Sequence, residues 1–307
     1  MDKRLTASVI IPSYNSSNTI GYTIEHLLKQ TASARMVEII VVDSSDDDKT
    51  KGLLSRYTDG IVRVITSGIR VMPAIQRNIG AREAKGDILC FIDSDAYPAE
   101  DWVEKILETC EKGQKVGGGS YLLPDFQETH KLATAQYYLE FNEYINCGKP
   151  RIKKLLPTCN LFCEKRLFDE VGGIPEIRAS EDTLFGLKVS EKEDIIFYPD
   201  IKVSHIFREN LEHCLNNQAL IGKYIYVYRK YYYSSVYLNK SIIPILYPAM
   251  LLVKFMRIFQ RIVFAGPGHW RRFLWASPLF FKGLMAWGKG FKQGSREYEQ
   301  LKGDFVL

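Results

Sequence analysis

Two acidic side chains stand where they could share a metal ion. Asp93 and Asp95 follow the apolar run ILCFI and lie two residues apart. Side chains repeat every two residues on extended backbone, so a bend after the strand would bring both carboxylates to one divalent ion. Mg²⁺ or Mn²⁺ suits such a shell, because both accept hard oxygen ligands together with substrate phosphates. The alternative is a solvated turn in which Asp95 caps the next helix.

A second acidic pair, Glu181 and Asp182, precedes an apolar-periodic segment, TLFGLKV. A carboxylate there could act as a general base, whereas the alternative is an ordinary helix N-terminus with Ser180 as cap. His205 ends a strand-like run, IKVSH, and is either a metal ligand or a satisfied polar terminus.

Two further residues could contact a nucleotide diphosphate. Asp43 ends the run VEIIVV, where a carboxylate can accept a hydrogen bond from a base or a ribose, while Ser45 or Asp48 is expected to cap the following helix. Arg77 lies on a helix that leads into the Asp93 strand and could neutralise a diphosphate. Neither a GxGxxG nor a GxxxxGK[ST] motif occurs, so phosphate must be bound by metal and side chains.

The elements that must position these residues alternate between strand and helix. Four runs rich in Val and Ile are separated by helical patterns at Thr19–Gln30, Thr50–Tyr57 and Pro73–Ala84. This βαβαβαβ order predicts a doubly wound, mostly parallel sheet with ligands beyond the carboxyl ends of its strands. Further along, the pattern predicts strands at Lys115–Leu123 and Lys154–Cys163, and helices at Thr129–Tyr144, Asn210–Tyr233, Ile242–Ala265 and Trp270–Gly290.

Six segments in order resemble a family 2 glycosyltransferase of the GT-A fold, over roughly residues 7–206. They are VIIPSYN, VVDSSDDDKT, RNIGAREAKGDILCFIDSDAYP, CNLFCEKRLFDEVGGIPE, SEDTLFGLKV and FYPDIKVSH. The resemblance implies that Pro12, Tyr14 and Asn15 line the nucleotide site, that Asp43 contacts the base and that Asp93 and Asp95 form the DxD motif. It also implies that Asp182 is the catalytic base, with Glu181 beside it at the substrate, and that His205 ligates the metal.

Two departures from the family pattern bear on this resemblance. Family loops often read D-D-G-S after the second strand, whereas Ser44 and Ser45 stand here, and Lys188 stands where Arg is frequent. The QxxRW motif of processive members is absent from the sequence, which favours addition of a single sugar.

Charge divides the 307-residue chain, whose net charge is +5. Residues 214–296 contain thirteen Lys or Arg and no Asp or Glu, whereas the first 213 residues carry a net charge of −6. Long apolar and aromatic stretches accompany the basic residues, which favours an anionic membrane over nucleic acid. Lys254, Arg257 and Arg261 share one helical face, and Trp270, Trp275 and Trp287 suit a membrane boundary. The alternative is a helical subdomain packed on the core or buried in a homo-oligomer.

We therefore expect a catalytic domain over residues 1–206, with a nucleotide-sugar half (1–115) and an acceptor half (116–206). Residues 207–307 are expected to form a helical region that attaches to the membrane interface. The six scattered cysteines and the lack of a signal-peptide pattern predict a cytosolic chain at the cytoplasmic face of the membrane.

The expected activity is inverting, metal-dependent transfer from a nucleotide diphosphate sugar, with a UDP-sugar favoured. The expected acceptor is a lipid-linked glycan or polyprenyl phosphate. The alternative is a non-catalytic nucleotide-sugar-binding protein of the same fold, whose expected mark is a broken DxD or Glu-Asp pair, and both pairs are intact in the sequence.

Overall fold

The structure, a computed structural model, describes residues 4–58, 60–233, 238–239 and 241–305. The chain divides into two compact units. Unit 1 comprises Met1–Leu122, Asn146–Glu176 and Glu181–His205, and unit 2 comprises Leu123–Ile145, Ile177–Ser180 and Ile206–Leu307. The expected catalytic region ended at residue 206, but residues 123–145 and 177–180 belong to unit 2. Long-range packing places these residues in unit 2, and local sequence patterns carry no information about such packing.

Unit 1 is built on one mixed sheet, which over the described residues has nine strands in the order β3-β2-β1-β4-β8-β6-β9-β5, with β7 also paired to β9. The strands are β1 Ala7–Ser13, β2 Met36–Asp43, β3 Val62–Thr66, β4 Ile88–Ile92, β5 Ala96–Pro98, β6 Val116–Leu122, β7 Arg151–Lys153, β8 Asn160–Glu164 and β9 Ile195–His205.

The first four strands are parallel, as the alternating pattern predicts. Their side chains are largely buried on both faces, which explains why Val and Ile run almost without interruption. The chain order reverses between β1 and β4, so a topological switch point lies there. The carboxyl ends of β1, β2 and β4 carry Ser13, Asp43 and Asp93, and ligands of such sheets bind at this edge.

The second half of the sheet is more mixed than the sequence predicts, because β8 runs antiparallel to both β4 and β6. Asn160, at the start of β8, fixes this arrangement: its amide donates to the carbonyls of Ser120 and Ile201, both at 3.1 Å, and accepts from the Trp102 indole at 2.8 Å. Beside it, Gly119 allows a close backbone approach, since a Cβ there would lie 1.7 Å from the Ile201 carbonyl oxygen. The fold class is confirmed, with antiparallel strands completing the sheet.

The helices of unit 1 cover and connect these strands. They are α1 Ile20–Leu28, α2 Asp48–Leu54, α3 Pro73–Glu83, α4 Trp102–Glu111, α6 Lys165–Glu170 and α7 Glu181–Ser190. Helices α1 and α4 contribute Ile24, Leu27, Trp102 and Ile106 to the core against β1, β2 and β4. Helix α3 begins with Pro73 at its first position, where a missing N–H has no cost, and carries Arg77 toward the edge of the sheet.

Unit 2 is helical: α5 Lys131–Glu140, α8 Leu211–Tyr233, α9 Ile243–Phe264, α10 Pro267–Arg296 and α11 Tyr298–Leu301. Helices α8 and α10 approach closely because glycines of each helix face the backbone of the other. A Cβ on Gly290 of α10 would lie 1.8 Å from the Ala219 carbonyl oxygen of α8. Helix α5 belongs here because its side chains meet α10: a Cβ on Gly283 would lie 2.3 Å from Leu139, and the Tyr138 hydroxyl donates to the His269 carbonyl at 2.9 Å.

Helix α9 is apolar on two sides: one set of apolar side chains is buried in unit 2, namely Ile243, Leu251, Ile258 and Ile262, and a second set is exposed. The side chains of Ile245, Leu252, Met256 and Val263 recur along one stripe and are 77%, 60%, 53% and 48% exposed. This helix is long and apolar enough to cross a membrane by length and composition, and 17% of its most apolar window is buried. A surface helix of a soluble protein usually has polar and charged residues on its exposed side.

Lys254, Arg257 and Arg261 lie on one face of α9, as their spacing predicts, but two of them contact protein. Lys254 packs its ammonium 4.2 Å from the centre of the Trp287 ring, and Arg261 pairs with Glu143 at 2.8 Å. Of the three predicted residues, only Arg257 is exposed. Trp287 is buried as well, so it does not contribute to an aromatic boundary. Helical spacing gives a common face but not the direction in which that face points.

The close approach of Gly119 to the Ile201 backbone predicts that a larger residue at position 119 destabilises the fold. Replacing Gly119 with Ala should lower the free energy of unfolding by about 3 kcal/mol or more, because the Ile201 backbone must move away. Chemical denaturation measures the effect. Gly52→Ala is the matched control: a Cβ there meets nothing within 4 Å, and Ala favours the helix by up to about 1 kcal/mol. Equal stabilities of the two variants would contradict the described β6–β9 packing.

Candidate active site

The carboxyl ends of β1 and β2 are joined by a buried hydrogen-bond network around Asp43. Its Oδ1 accepts from the hydroxyls of Ser13 at 2.8 Å and Ser45 at 2.6 Å. The Gln76 amide, also buried, donates to the carbonyls of Ser13 and Val42, both at 2.7 Å. Asp43 is thus held rigidly at the predicted edge, and Ser45 orients its carboxylate rather than capping a helix. The cap of α2 is Asp47, which accepts from the Thr50 N–H at 2.6 Å.

Tyr14 and Asn15 form the next part of this edge. The Asn15 amide donates to Asp46 at 2.7 Å, and the Tyr14 hydroxyl donates to the same carboxylate at 3.1 Å. The hydrogen bond from Asn15, and after it the one from Tyr14, lowers the pKa of Asp46. Asn15 has a φ of 50°, a left-handed conformation that Asn tolerates better than most residues. The Arg70 guanidinium stacks 4.3 Å above the Tyr14 ring. Tyr14 and Asn15 thus present an aromatic ring and polar groups at this edge of the sheet.

A buried arginine links the two predicted acidic pairs. The Arg77 guanidinium donates to Asp93 at 2.5 Å and lies 3.6 Å from Glu181, with only 4% of its side chain exposed. Within the described residues, its Nε and Nη1 make no hydrogen bond. A buried cation with unused N–H donors between two carboxylates is suited to receive a further anionic group.

Asp95 and His205 lie beside each other at the same edge. Asp95 follows β4, His205 ends β9, and the paired residues Ala96 and His205 bring the Asp95 Oδ1 to 3.6 Å from the His205 Nε2. Asp93, Cys159 and His205 also each offer one ligand atom within 4.8 Å of the others. Burial, followed by the charge of Asp93, raises the pKa of the Cys159 thiol well above 9, so the neutral thiol is a poor ligand.

This donor set fits a divalent metal ion. Because Arg77 occupies one oxygen of Asp93, the Asp95 carboxylate and the His205 imidazole are the groups best placed as ligands, with substrate oxygens completing a shell. Oxygen with imidazole nitrogen suits Mn²⁺, whereas Mg²⁺ prefers oxygen alone.

The acidic pair at the start of α7 has unusual protonation behaviour. Burial, followed by the charge of Asp182, raises the pKa of Glu181 to about 7, although Arg77 opposes the shift. Burial also raises the pKa of Asp182, against a hydrogen bond that its Oδ1 accepts from the Thr183 N–H at 2.7 Å. Ser180, the alternative N-cap, has a left-handed φ of 71° instead of the extended backbone of a typical cap. Perturbed carboxylates of this kind are typical of active sites.

The structure thus brings most predicted site residues to one edge of the sheet. Asp43, Tyr14 and Asn15 form one side, and Arg77 joins Asp93 to Glu181 on the other. Pro12 lies within β1, buried and paired with Val42, so it shapes the strand end instead of lining an open surface.

Sequence reasoning missed three residues of this site. Gln76 and Cys159 gave no signal, since a buried amide or thiol reads as an ordinary helix or strand residue. Asn78 follows Arg77 and bonds the backbone of Ile174 in both directions, at 2.8 and 3.0 Å, which anchors the GGIPE loop. The paired RN and GG motifs were the signal that could have predicted this contact.

Known proteins resemble this chain in sequence and in fold. Residues 8–171 match the model of the family described as Glycosyl transferase family 2. Glycosyltransferase AglE of Haloferax volcanii is 26% identical over 55% of each chain. The UDP-Glc:α-D-GlcNAc-diphosphoundecaprenol β-1,3-glucosyltransferase WfaP of Escherichia coli is 30% identical over 54% of this chain and 61% of its own. The matches thus span little more than half the length of these relatives.

Among solved structures, the mannosyltransferase PcManGT of Pyrobaculum calidifontis, in complex with GDP-Man and Mn²⁺, aligns with a TM-score of 0.60 at 16% identity. The alignment covers 100% of this chain and 89% of the mannosyltransferase. The mixed sheet and this likeness show that the chain has the GT-A fold. The family match extends over more than half of the chain, so the chain belongs to glycosyl transferase family 2.

The raised pKa of Glu181 has a measurable effect on stability. A native pKa of about 7, against an ordinary value of 4.5, means that the folded state binds this proton more tightly, so its contribution to stability is lost as pH rises through about 7. Between about pH 5 and about pH 8, the unfolding free energy of the wild type should therefore fall by about 2 kcal/mol more than that of Glu181→Gln.

Chemical denaturation at the two pH values measures this difference. Glu100→Gln, at an exposed glutamate of the same unit, is the control and should leave the decline unchanged. An identical pH dependence of the wild type and Glu181→Gln would contradict a shifted Glu181.

Proposed function

We propose that this protein is an inverting glycosyltransferase that moves one sugar from a nucleotide diphosphate donor to a lipid-linked acceptor. The observation that carries the proposal is the link that Arg77 makes between Asp93 and Glu181, next to Asp95 and His205. This arrangement holds a proton acceptor and the groups for a departing diphosphate at one edge. The absence of a QxxRW motif from the sequence supports single rather than repeated addition.

Asp182 is the proposed general base. Glu181 faces the Arg77 cation, whereas the Asp182 carboxylate is fixed by the Thr183 N–H in the first turn of α7. Burial raises the pKa of Asp182, which makes its ionised form a better proton acceptor. An acceptor hydroxyl bound beside Asp182 would lose its proton as its oxygen attacks the anomeric carbon, and attack opposite the departing diphosphate inverts that carbon.

Charge on the departing diphosphate is the second requirement. A divalent ion held by Asp95 and His205 would supply Lewis-acid stabilisation of the phosphate oxygens. Arg77 pairs with Asp93 and orients it, and Arg77 also has unused N–H donors for an anionic group. Asp43, held by Ser13 and Ser45, is the proposed contact to the base, and Tyr14 the proposed stacking surface. The name of the Escherichia coli relative, which includes UDP-Glc, favours a UDP-sugar.

The proposed acceptor site is at the cytoplasmic face of a membrane. The outward stripe of α9 is apolar, and Leu274, Phe281 and Met285 are exposed along α10, at 44–53%. Apolar side chains outward with charged groups inward are typical of helices in lipid. The flanking segment has no acid between residues 214 and 296, which suits an anionic membrane surface. The diphosphoundecaprenol acceptor in the relative's name also supports a lipid-linked substrate.

Two variants test the division of roles at the site. Asp182→Asn should lower kcat by about two to four orders of magnitude while donor binding survives, because shape is kept and proton acceptance is lost. Asp95→Asn should instead weaken Mn²⁺-dependent donor binding. Calorimetric titration of nucleotide sugars with and without Mn²⁺ separates the two effects. Wild-type turnover in Asp182→Asn would refute its role, and unchanged metal dependence in Asp95→Asn would refute the metal site.

The apolar stripe of α9 gives the membrane prediction. Replacing Leu252 and Met256 together with Gln should lower partition into lipid vesicles by about tenfold or more, because both exposed side chains would leave the bilayer. Vesicle co-sedimentation measures the partition. Ile69→Gln, at a residue of unit 1 that is 71% exposed, is the matched control and should have no effect. Undiminished vesicle binding of the double variant would show that another surface contacts the membrane.

A further inference from the structure

Cys159 lies beside the metal-ligand candidates of unit 1 because of how three strands pair. In the antiparallel β4–β8 pair, Ile92 lies opposite Asn160, and the next two residues in this register are Asp93 and Cys159. His205 ends β9, and the Asn160 amide also bonds the backbone of β9, at 3.1 Å. Asp93 and Cys159 thus directly adjoin a strand pair, and His205 belongs to a third strand of the same sheet.

These three side chains offer donor atoms to a common point. One oxygen of Asp93, the Cys159 sulfur and one ring nitrogen of His205 all lie within 4.8 Å of one another. Ligand atoms around tetrahedral zinc are about 3.5 Å apart, so shifts of less than about 1 Å per side chain would bring all three to one ion. Cys159 and His205 are buried and Asp93 is partly exposed, so an ion can enter from the side of Asp93.

The sulfur changes which ions this donor set favours. Carboxylate oxygen suits Mn²⁺ and Mg²⁺, whereas a cysteine thiolate is a soft ligand that selects thiophilic ions such as Zn²⁺. Burial keeps the Cys159 thiol neutral, and its proton would pass to solvent as a metal–sulfur bond forms. A buried thiol is more often a small apolar core residue. Cys159 differs because Asp93 and His205 each present a ligand atom beside it.

We propose that Cys159 is a further protein ligand of the metal site, which through Asp93, Cys159 and His205 binds Zn²⁺ more tightly than Mn²⁺. Zinc with three protein ligands is usually four-coordinate, so one position remains for a substrate atom. Mn²⁺ prefers six ligands and keeps several positions for phosphate oxygens. Bound Zn²⁺ therefore hinders binding of a diphosphate donor, and Cys159 makes the protein sensitive to zinc. This inference rests on the metal site of the proposed function.

Absorption spectroscopy of the full-length protein with Co²⁺ tests for the sulfur ligand directly. Co²⁺ takes the same ligands as Zn²⁺, and coordination by a thiolate adds an intense charge-transfer band in the near ultraviolet. We expect this band in the wild type, saturating at one Co²⁺ per chain, and its loss in Cys159→Ser. Cys147→Ser, at a partly exposed cysteine of the same unit, is the matched control and should keep the band.

Two spectroscopic results would overturn the proposal. A wild type without the band would do so, and that measurement requires no variant to fold. A band of equal intensity in the wild type and Cys159→Ser would do so as well, because another sulfur would then bind the metal. Cys159→Ala replaces the Ser variant if circular dichroism shows that Ser at this buried position prevents folding.

Calorimetric titration with the metals alone measures the preference between ions. Cys159→Ser should weaken Zn²⁺ binding by about a hundredfold or more, because even the groups behind a metal ligand contribute about ten- to hundredfold. Mn²⁺ binding should be unchanged, since Asp95 and His205 are its proposed protein ligands. An equal loss of affinity for the two ions would overturn the proposal, because Cys159 would then only support the fold around the site.

Competition between the two ions is the functional consequence. Added Zn²⁺ should lower Mn²⁺-dependent binding of a UDP-sugar to the wild type, and the same Zn²⁺ concentration should not affect Cys159→Ser. Equal effects of Zn²⁺ on the two proteins would refute the role of Cys159 in zinc sensitivity.

Failure of the proposed function would look different from failure of this site. A Co²⁺ band that depends on Cys159, in a protein that transfers no sugar, would refute the function and leave the site. Mn²⁺-dependent donor binding that requires Asp95, without a thiolate band, would refute the site and leave the function.

Discussion

The ion pairs of Arg77 are the interaction on which the site depends. A guanidinium that is 4% exposed is costly to bury, and Asp93 compensates its charge at 2.5 Å. Glu181, 3.6 Å away, adds to this compensation where its carboxyl is ionised. The same contacts bring two carboxylates together that would otherwise repel each other. Arg77 thereby couples the strand end that carries the DxD motif to the helix that carries the Glu-Asp pair. Loss of Asp93 would leave the buried Arg77 charge without its nearest partner, so the identities of these two residues are constrained together.

The sheet topology explains why these groups meet at one edge. Reversal of the strand order between β1 and β4 opens a crevice at their carboxyl ends, and the antiparallel strand β8 closes the other side of β4. Asn160 fixes β8 against β6 and β9, and β9 in turn brings His205 opposite Ala96. The position of a metal-ligand candidate near the end of unit 1 thus depends on a side-chain amide about forty-five residues earlier.

Local pattern was sufficient for the parallel half of the fold and for most of the site. Strand periodicity and the residues that follow each strand predicted where Asp43 and Asp93 lie, because parallel strands end at one edge. Local pattern was insufficient where long-range packing determines which elements contact each other. Helix α5 reads as a part of the catalytic region, yet its partner is α10. Gln76 supplies two buried hydrogen bonds that no short motif encodes, and its role depends on the approach of β1 to β2.

Helix α9 shows why amphipathicity alone did not determine what it faces. Periodicity identifies an apolar side and a basic side, but the direction of each follows from the partners available. In unit 2 Lys254 contacts Trp287 and Arg261 pairs with Glu143. One apolar side of α9 is buried, and the large apolar residues of its other side are 48–79% exposed. In water both choices are unfavourable, since charge is desolvated and apolar surface is hydrated. Next to lipid the exposed apolar surface would no longer be hydrated, while Lys254 and Arg261 would keep their protein partners.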